Sequence, residues 1–265
     1  MRPKPGSDGC EVELVTGTRT VAVIQARCGS ERLPNKAMRD LAGRPLTEHV
    51  LRAVMHAERV DEVVLATTRE ADDDVLEGLA GELGVRCYRG SSNDVLSRFV
   101  GAVEGTCADA VVRLTGDDPL LDPAVIDQVV AHFVEGGCDY ASNIVERSWP
   151  RGLDTEVLSI DALRRSDREG RRPEDREHVT FYVRTHPDIF QLRNVEAPDD
   201  ERWPDLRLCV DTAEDYEMIR KVFEALYRLG EPLSVGQVVD WLRRHPEVAR
   251  INAAIQQKAT LGKVY

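Results

Sequence analysis

Near the start of the chain, Arg27-Cys28-Gly29-Ser30-Glu31-Arg32-Leu33-Pro34-Asn35-Lys36 places three cations and a glycine directly after the apolar run Val21–Ala26. Guanidinium forks and an ammonium can neutralise the oxygens of a triphosphate, and Gly29 lets the backbone approach a phosphate closely. The spacing is not that of a Walker loop. A second apolar run, Ala110–Leu114, leads into Thr115-Gly116-Asp117-Asp118-Pro119-Leu120, and a third, Leu206–Val210, ends on Asp211 and Thr212. Magnesium takes hard oxygen ligands and commonly only one or two from protein, the rest coming from phosphate and water. Asp117 is the first candidate ligand, and Asp211 could share one ion with it. Paired aspartates before a proline also form ordinary turns, and Asp211 or Thr212 equally suits a helix N-cap.

These residues need elements to hold them. The pattern predicts strands at Val21–Ala26, Glu62–Thr67, Val85–Tyr88, Ala110–Leu114 and Leu206–Val210. It predicts helices at Pro45–Ala57, Asp72–Leu83, Asp94–Val103, Pro123–Glu135, Ala213–Leu229 and Ser234–His245. Asp122 is placed to cap the fourth of these helices, and Ser92 or Asn93 the third. Strands alternating with helices imply an α/β fold with a parallel sheet, and chemistry at the carboxyl ends of its strands. From Asp139 the rhythm becomes less regular, through Asp154–Leu158, the charged stretch Arg164–Glu177 and Phe190–Val195. This region reads as an insertion around an acceptor pocket, with the charged stretch a solvated face.

With 265 residues, the chain can bury one full core. The expected division is a flexible leader over 1–19, a catalytic domain over 20–245 and a C-terminal tail over 246–265. A net charge of −12 argues against nucleic acid polymers, which need a basic surface. No apolar run is long enough for a membrane span, and the first residues lack a secretory core, so a cytoplasmic location is expected. Six scattered cysteines suggest neither a zinc site nor a disulfide framework.

QARCGSERLPNK, GSSNDVLSR, VRLTGDDPLLDP, GLDTEV, REHVT and LCVDTAEDYE occur in the order found in spore coat polysaccharide biosynthesis protein F-like cytidylyltransferases. The chain resembles that family, and through it the enzymes that make CMP-activated KDO and CMP-acylneuraminates. The likeness runs from about Val21 to Tyr227, and HPEVARINAAIQQK resembles the subfamily's tail.

The resemblance implies a Rossmann-like, glycosyltransferase-A type mixed sheet flanked by helices, and transfer of CMP from CTP to a small anionic sugar-like acceptor. It implies that Ala26, Arg27, Gly29, Ser30, Arg32 and Lys36 hold the triphosphate, that Ser91 and Arg98 lie near the base, and that Asp117 and Asp211 bind Mg2+. Asn143, Asp154, Glu156, Arg176 and His178, with Arg151, fall in the region of the acceptor motifs. His178 could serve as base or stay structural. Asn35 stands where the family commonly has glycine, and asparagine is the side chain that best tolerates a left-handed backbone there. The relatives suggest a two-fold homodimer. Two rivals attach to the same residues: a glycosyltransferase using a finished nucleotide sugar, and an inactive nucleotide- or partner-binding protein.

Overall fold

The central strand, β1 (Thr20–Gln25), is apolar between its polar ends because both its faces are covered. In a computed structural model, which describes residues 17–30 and 32–255, Ala22 and Ile24 point into one core and Val21 and Val23 into another. Residues 1–16 of the leader expected over 1–19, with Cys10 among them, and Glu31 and 256–265 lie outside the described residues.

After β1, a two-stranded ribbon, β2 (Asp40–Leu41) and β3 (Arg44–Pro45), leads into α1 (Leu46–Met55). Then follow β4 (Glu62–Thr68), α2 (Asp74–Glu82), β5 (Arg86–Gly90), α3 (Val95–Val103), β6 (Ala110–Thr115) and α4 (Pro123–Gly136). The middle of the chain supplies β7 (Tyr140–Ser142), β8 (Glu156–Ser159), α5 (Ile160–Glu169), α6 (Pro173–Glu177), α7 (Phe181–Arg184) and β9 (Leu192–Asn194). The chain closes with α8 (Ala213–Leu226), α9 (Val235–Arg244) and α10 (Pro246–Ala249).

Seven strands form one sheet in the order β5-β4-β1-β6-β8-β7-β9. Only β8 runs against its neighbours. Helices α1, α2, α4, α8 and α9 cover one face, and α3, α5 and α7 the other. The less regular middle region is therefore part of the sheet, contributing β7, β8 and β9.

Two local expectations change. Leu206–Val210 is no strand of the sheet; this extended segment makes one isolated bridge, Arg207 to Arg151. Its leucines and valine are buried against the helix layer rather than between strands, so alternation alone misplaced it. Helix α3 is capped by Asp94, whose Oδ1 accepts from the Ser97 N–H at 2.9 Å, and not by Ser92 or Asn93. Asp122 caps α4 as expected. At the far end, the fold continues past residue 245: Val248 and Asn252 are buried, and the Asn252 side chain donates to the Arg207 carbonyl at 3.0 Å.

Candidate active site

Strand order reverses at β1. The chain leaves it for β4 and β5 on one side and returns to β6 on the other, opening a crevice between the carboxyl ends of β1 and β6. A cleft of about 740 Å3 occupies that crevice. Its floor is Gln25, Ala26, Thr115, Gly116 and Asp117, its walls the loop after β1 and the N-terminal turn of α3, and its far side Pro173, Arg176, Glu177 and His178.

Gly116 is required by close approach. Its N–H donates to the Gln25 carbonyl at 2.8 Å, and a Cβ there would lie 2.7 Å from the Ala26 Cβ and 3.1 Å from the Gln25 carbonyl oxygen. Gly116→Ala should force the two strand ends apart and cost roughly 1–3 kcal/mol. A thermal melt should show a Tm lower by several degrees, together with weaker nucleotide binding.

The adjacent aspartates separate by environment. Asp117 faces the cleft, whereas Asp118 is buried and accepts from the Thr115 hydroxyl at 2.6 Å. Burial, and then the charges of Asp117 and Asp154, push the Asp118 carboxyl well above its usual range. Of the two, only Asp117 lines the cleft.

Asp211 reaches the same point through the 206–210 segment. The Val210 N–H donates to the Asp117 carbonyl at 2.9 Å, and Arg151 exchanges backbone bonds with Leu206 and Leu208 at 2.9 and 2.7 Å. Buried Arg207 then locks Asp211 to Asp215, donating from Nη2 to Asp211 at 2.7 Å and from Nε to Asp215 at 2.8 Å. Asp215 in turn completes the capping box of α8 with Thr212. The cap thus falls to Thr212 and leaves the Asp211 carboxylate to the cleft.

Between the two carboxylates sits Lys36. Its Nζ donates to Asp117 Oδ2 at 2.6 Å, Asp211 Oδ1 at 2.8 Å and the Val210 carbonyl at 3.0 Å. Burial works to lower the ammonium pKa, but Asp117 and Asp211 outweigh it and raise it, so the group stays charged. Burial likewise works to raise the Asp211 carboxyl, yet Lys36, Arg32 and Arg207 hold it down to about 2. Lys36 arrives from a short turn that Asn35 opens in the left-handed region, φ 54°.

Other cations face the cleft less fully paired. Arg27 is exposed with no ion-pair partner among the described residues. Arg98 is 3% exposed, has no carboxylate partner among them, donates from Nη1 to the Ser91 carbonyl at 2.7 Å and leaves Nε unbonded. Arg32 also lines the cleft and reaches Asp211 at 3.1 Å. The loop itself is pinned from below by Asp73, a buried carboxylate that accepts from the Cys28 N–H at 2.7 Å and from Thr68. The sequence showed Asp73 only as one of three successive aspartates.

The cleft gathers Ala26, Arg27, Gly29, Ser30, Arg32, Lys36, Arg98, Asp117, Arg176, His178 and Asp211. Ser91 is not on its lining, where Ser92 and Asn93 stand instead. Arg176 lines it while forked onto Asp94 at 2.8–3.0 Å and Asp167 at 2.7 Å. Asn143, Asp154 and Glu156 stand behind the wall. Both ends of the Asn143 amide serve the backbone of Leu153 and Thr155, and Asp154 holds Arg147 through two bonds of 2.8 Å. Glu156, 1% exposed, accepts from Arg113, from Tyr140 at 2.5 Å and from Thr180 at 2.5 Å.

Burial works to raise the Glu156 carboxyl, but Arg113, Arg184 and the hydroxyl donors hold it below 4.5. Glu156→Gln leaves Arg113 without its counter-charge and should cost about 3–5 kcal/mol, a Tm drop of roughly 10 °C. Because the folded carboxyl is depressed, its stabilisation is fully present above 4.5 and is lost as the pH falls through the lower folded value. Melts across pH should therefore show the gap between wild type and variant narrowing below about pH 4.

The donor set suits a small hard cation. Among the described residues no group of three or more His, Cys, Asp or Glu is placed to hold a metal ion, so an ion at Asp117 and Asp211 would complete its shell with phosphate and water. Cys28, Cys87, Cys138 and Cys209 carry free thiols, and no helix among the described residues is long and apolar enough to cross a membrane.

A family model described as cytidylyltransferase matches residues 21–237. The spore coat polysaccharide biosynthesis protein SpsF of Bacillus subtilis is 34% identical over 234 residues, 86% of this chain and 95% of that one. A 3-deoxy-manno-octulosonate cytidylyltransferase of Trichlorobacter lovleyi is 36% identical over 114 residues, 43% of this chain and 44% of its own. The structure of a cytidylyltransferase from Leptospira borgpetersenii superposes with a TM-score of 0.82 at 29% identity, covering 92% of this chain and all of the other.

Proposed function

The chain belongs to the cytidylyltransferase family, and from that premise we propose that it transfers CMP from CTP to a small acidic sugar-like acceptor with release of pyrophosphate. The observation that carries the reading is the meeting of Asp117, Asp211 and Lys36 at the switch-point cleft. A cationic loop on one wall and two carboxylates at the cleft suit a triphosphate with a divalent cation. Asp117 and Asp211 would hold a magnesium ion, which would supply charge neutralisation at the reacting phosphate.

The protein's own contribution is positioning and electrostatics. Arg27, Arg32 and Arg98 meet the phosphate charge, and Lys36 stabilises the departing pyrophosphate. Gly29 and Ser30 offer close backbone approach. On the far side, His178 accepts a proton from the acceptor oxygen or orients it. Arg176, already forked onto Asp94, ties the acceptor wall to the cap of α3. Because Asn143, Asp154 and Glu156 spend their polar atoms on other groups of the protein, their part in acceptor binding is to shape the wall. The enzyme is further proposed to act as a two-fold homodimer.

The deciding experiment is pyrophosphate release from CTP, UTP, ATP and GTP with magnesium against a panel of sugar acids, sugar phosphates and phosphonates. CTP-dependent release with an acidic acceptor supports the reading. Silence across the panel, with a nucleotide sugar consumed instead, replaces it with glycosyl transfer.

A further inference from the structure

Strand β6 changes character along its length. Val111 packs into the core beneath α3 and α5, yet Arg113 and Thr115, next on the same face, line the cleft. Arg113 stands opposite Glu156 in the antiparallel register of β6 and β8, and donates to it from Nη1. Glu156 has no room for a ligand: Arg113, Tyr140 and Thr180 fill it, and it is absent from the cleft lining.

Arg113 is the reverse case. A guanidinium carries five N–H donors in a fixed fork, and among the described residues only Nη1 finds an acceptor. Nε is buried without one. A guanidinium anchored on one side, with donors to spare on a cleft wall, suits an oxyanion. That anion is distinct from the nucleotide's phosphates, whose charge falls to Arg27, Arg32, Lys36 and Arg98. Thr180, two residues beyond His178, binds the carboxylate that holds Arg113, so Glu156 ties Arg113 to the acceptor wall.

We propose that Arg113 receives the anionic group of the acceptor, a carboxylate, phosphonate or phosphate beside the attacking oxygen, and that Glu156 is its positioning residue. The inference rests on the cytidylyl-transfer reading. It limits acceptors to those with an anion close to the nucleophile.

The test compares wild type, Arg113→Gln and the double variant R113Q/E156Q, which keeps the buried pair uncharged and so separates misfolding from lost recognition. Each is assayed with 3-deoxy-manno-octulosonate, its carboxamide, sugar phosphates, phosphonates and the matching free sugars, and CTP affinity is titrated separately. Only anionic acceptors should turn over in wild type, and which of them does so names the group. In both variants kcat/KM should fall roughly 100-fold, chiefly through acceptor KM, with CTP affinity within about twofold. The carboxamide should lose nothing further in the variants. A parallel loss of CTP affinity would assign Arg113 to the nucleotide and overturn the proposal, as would equal use of neutral acceptors or variants within about threefold of wild type. Wild type that fails to bind CTP, or releases no pyrophosphate with any acceptor, removes the functional reading and this inference with it. CTP turnover indifferent to Arg113 removes only the inference.

Discussion

Asp117→Asn is expected to lower turnover by roughly a thousandfold while the protein stays folded. The fold should survive because what Asp117 gives the scaffold is its carbonyl, which accepts from the Val210 N–H, and not its side chain. The side chain is 28% exposed and spends its charge on Lys36. An amide of the same shape removes the negative charge, so one of two carboxylates facing the cation disappears and the remaining one, Asp211, is already held by Arg207 and Arg32. The expected pattern is a fall in kcat with little change in Tm, and a magnesium requirement shifted to higher concentration. Turnover within tenfold of wild type would take Asp117 out of the chemistry. The same substitution at neighbouring Asp118 should behave differently, since that carboxyl is buried on Thr115 and does not line the cleft.

The pair of aspartates shows what the sequence can and cannot convey. Strand ends carrying charged residues after apolar runs are legible, because parallel strands buried on both faces leave polarity only at their tips. That reasoning locates Arg27, Lys36 and Asp117 at one edge of the sheet, where they stand. It also brings Asp211 there, although the segment before it is not a strand and reaches Asp117 through the Val210 bond instead. What stays hidden is the division of labour among like residues. Nothing local says that Asp117 faces the cleft and Asp118 the core, or that Asp73 in an acidic run pins the phosphate loop. A carboxylate in an acceptor motif reads as a sugar ligand, yet the cross-strand register turns Glu156 inward and leaves Arg113, which the sequence pattern does not single out, lining the cleft. Register between β6 and β8 is a long-range property, set by the reversal of β8, which the middle region's uneven pattern does not announce.

Lys36→Met is expected to have two effects of opposite sign. Nucleotide-free variant should bind Mn2+ at least tenfold more tightly than wild type, and its turnover with CTP should fall by roughly 100- to 1000-fold. Both follow from the place of the ammonium. With Asp117 at 2.6 Å and Asp211 at 2.8 Å, Lys36 neutralises the two carboxylates that would otherwise attract a divalent cation. It cannot vacate the site by losing its proton, because those carboxylates raise its pKa above 10.5. It has to move. A triphosphate offers it a denser negative charge, so the arrival of nucleotide frees the carboxylates when the phosphate oxygens needed to finish the cation's shell are also present. Binding of cation and nucleotide are then coupled, each favouring the other by the same factor. In the variant the carboxylates are open from the start, which strengthens cation binding alone, while the departing pyrophosphate loses its point charge. Electron paramagnetic resonance titration of Mn2+, with and without CTP, measures the first effect and its coupling. If wild type and variant bound Mn2+ equally without nucleotide, Lys36 and the cation would not be competing, and the ammonium between Asp117 and Asp211 would be a fixed strut of the loop.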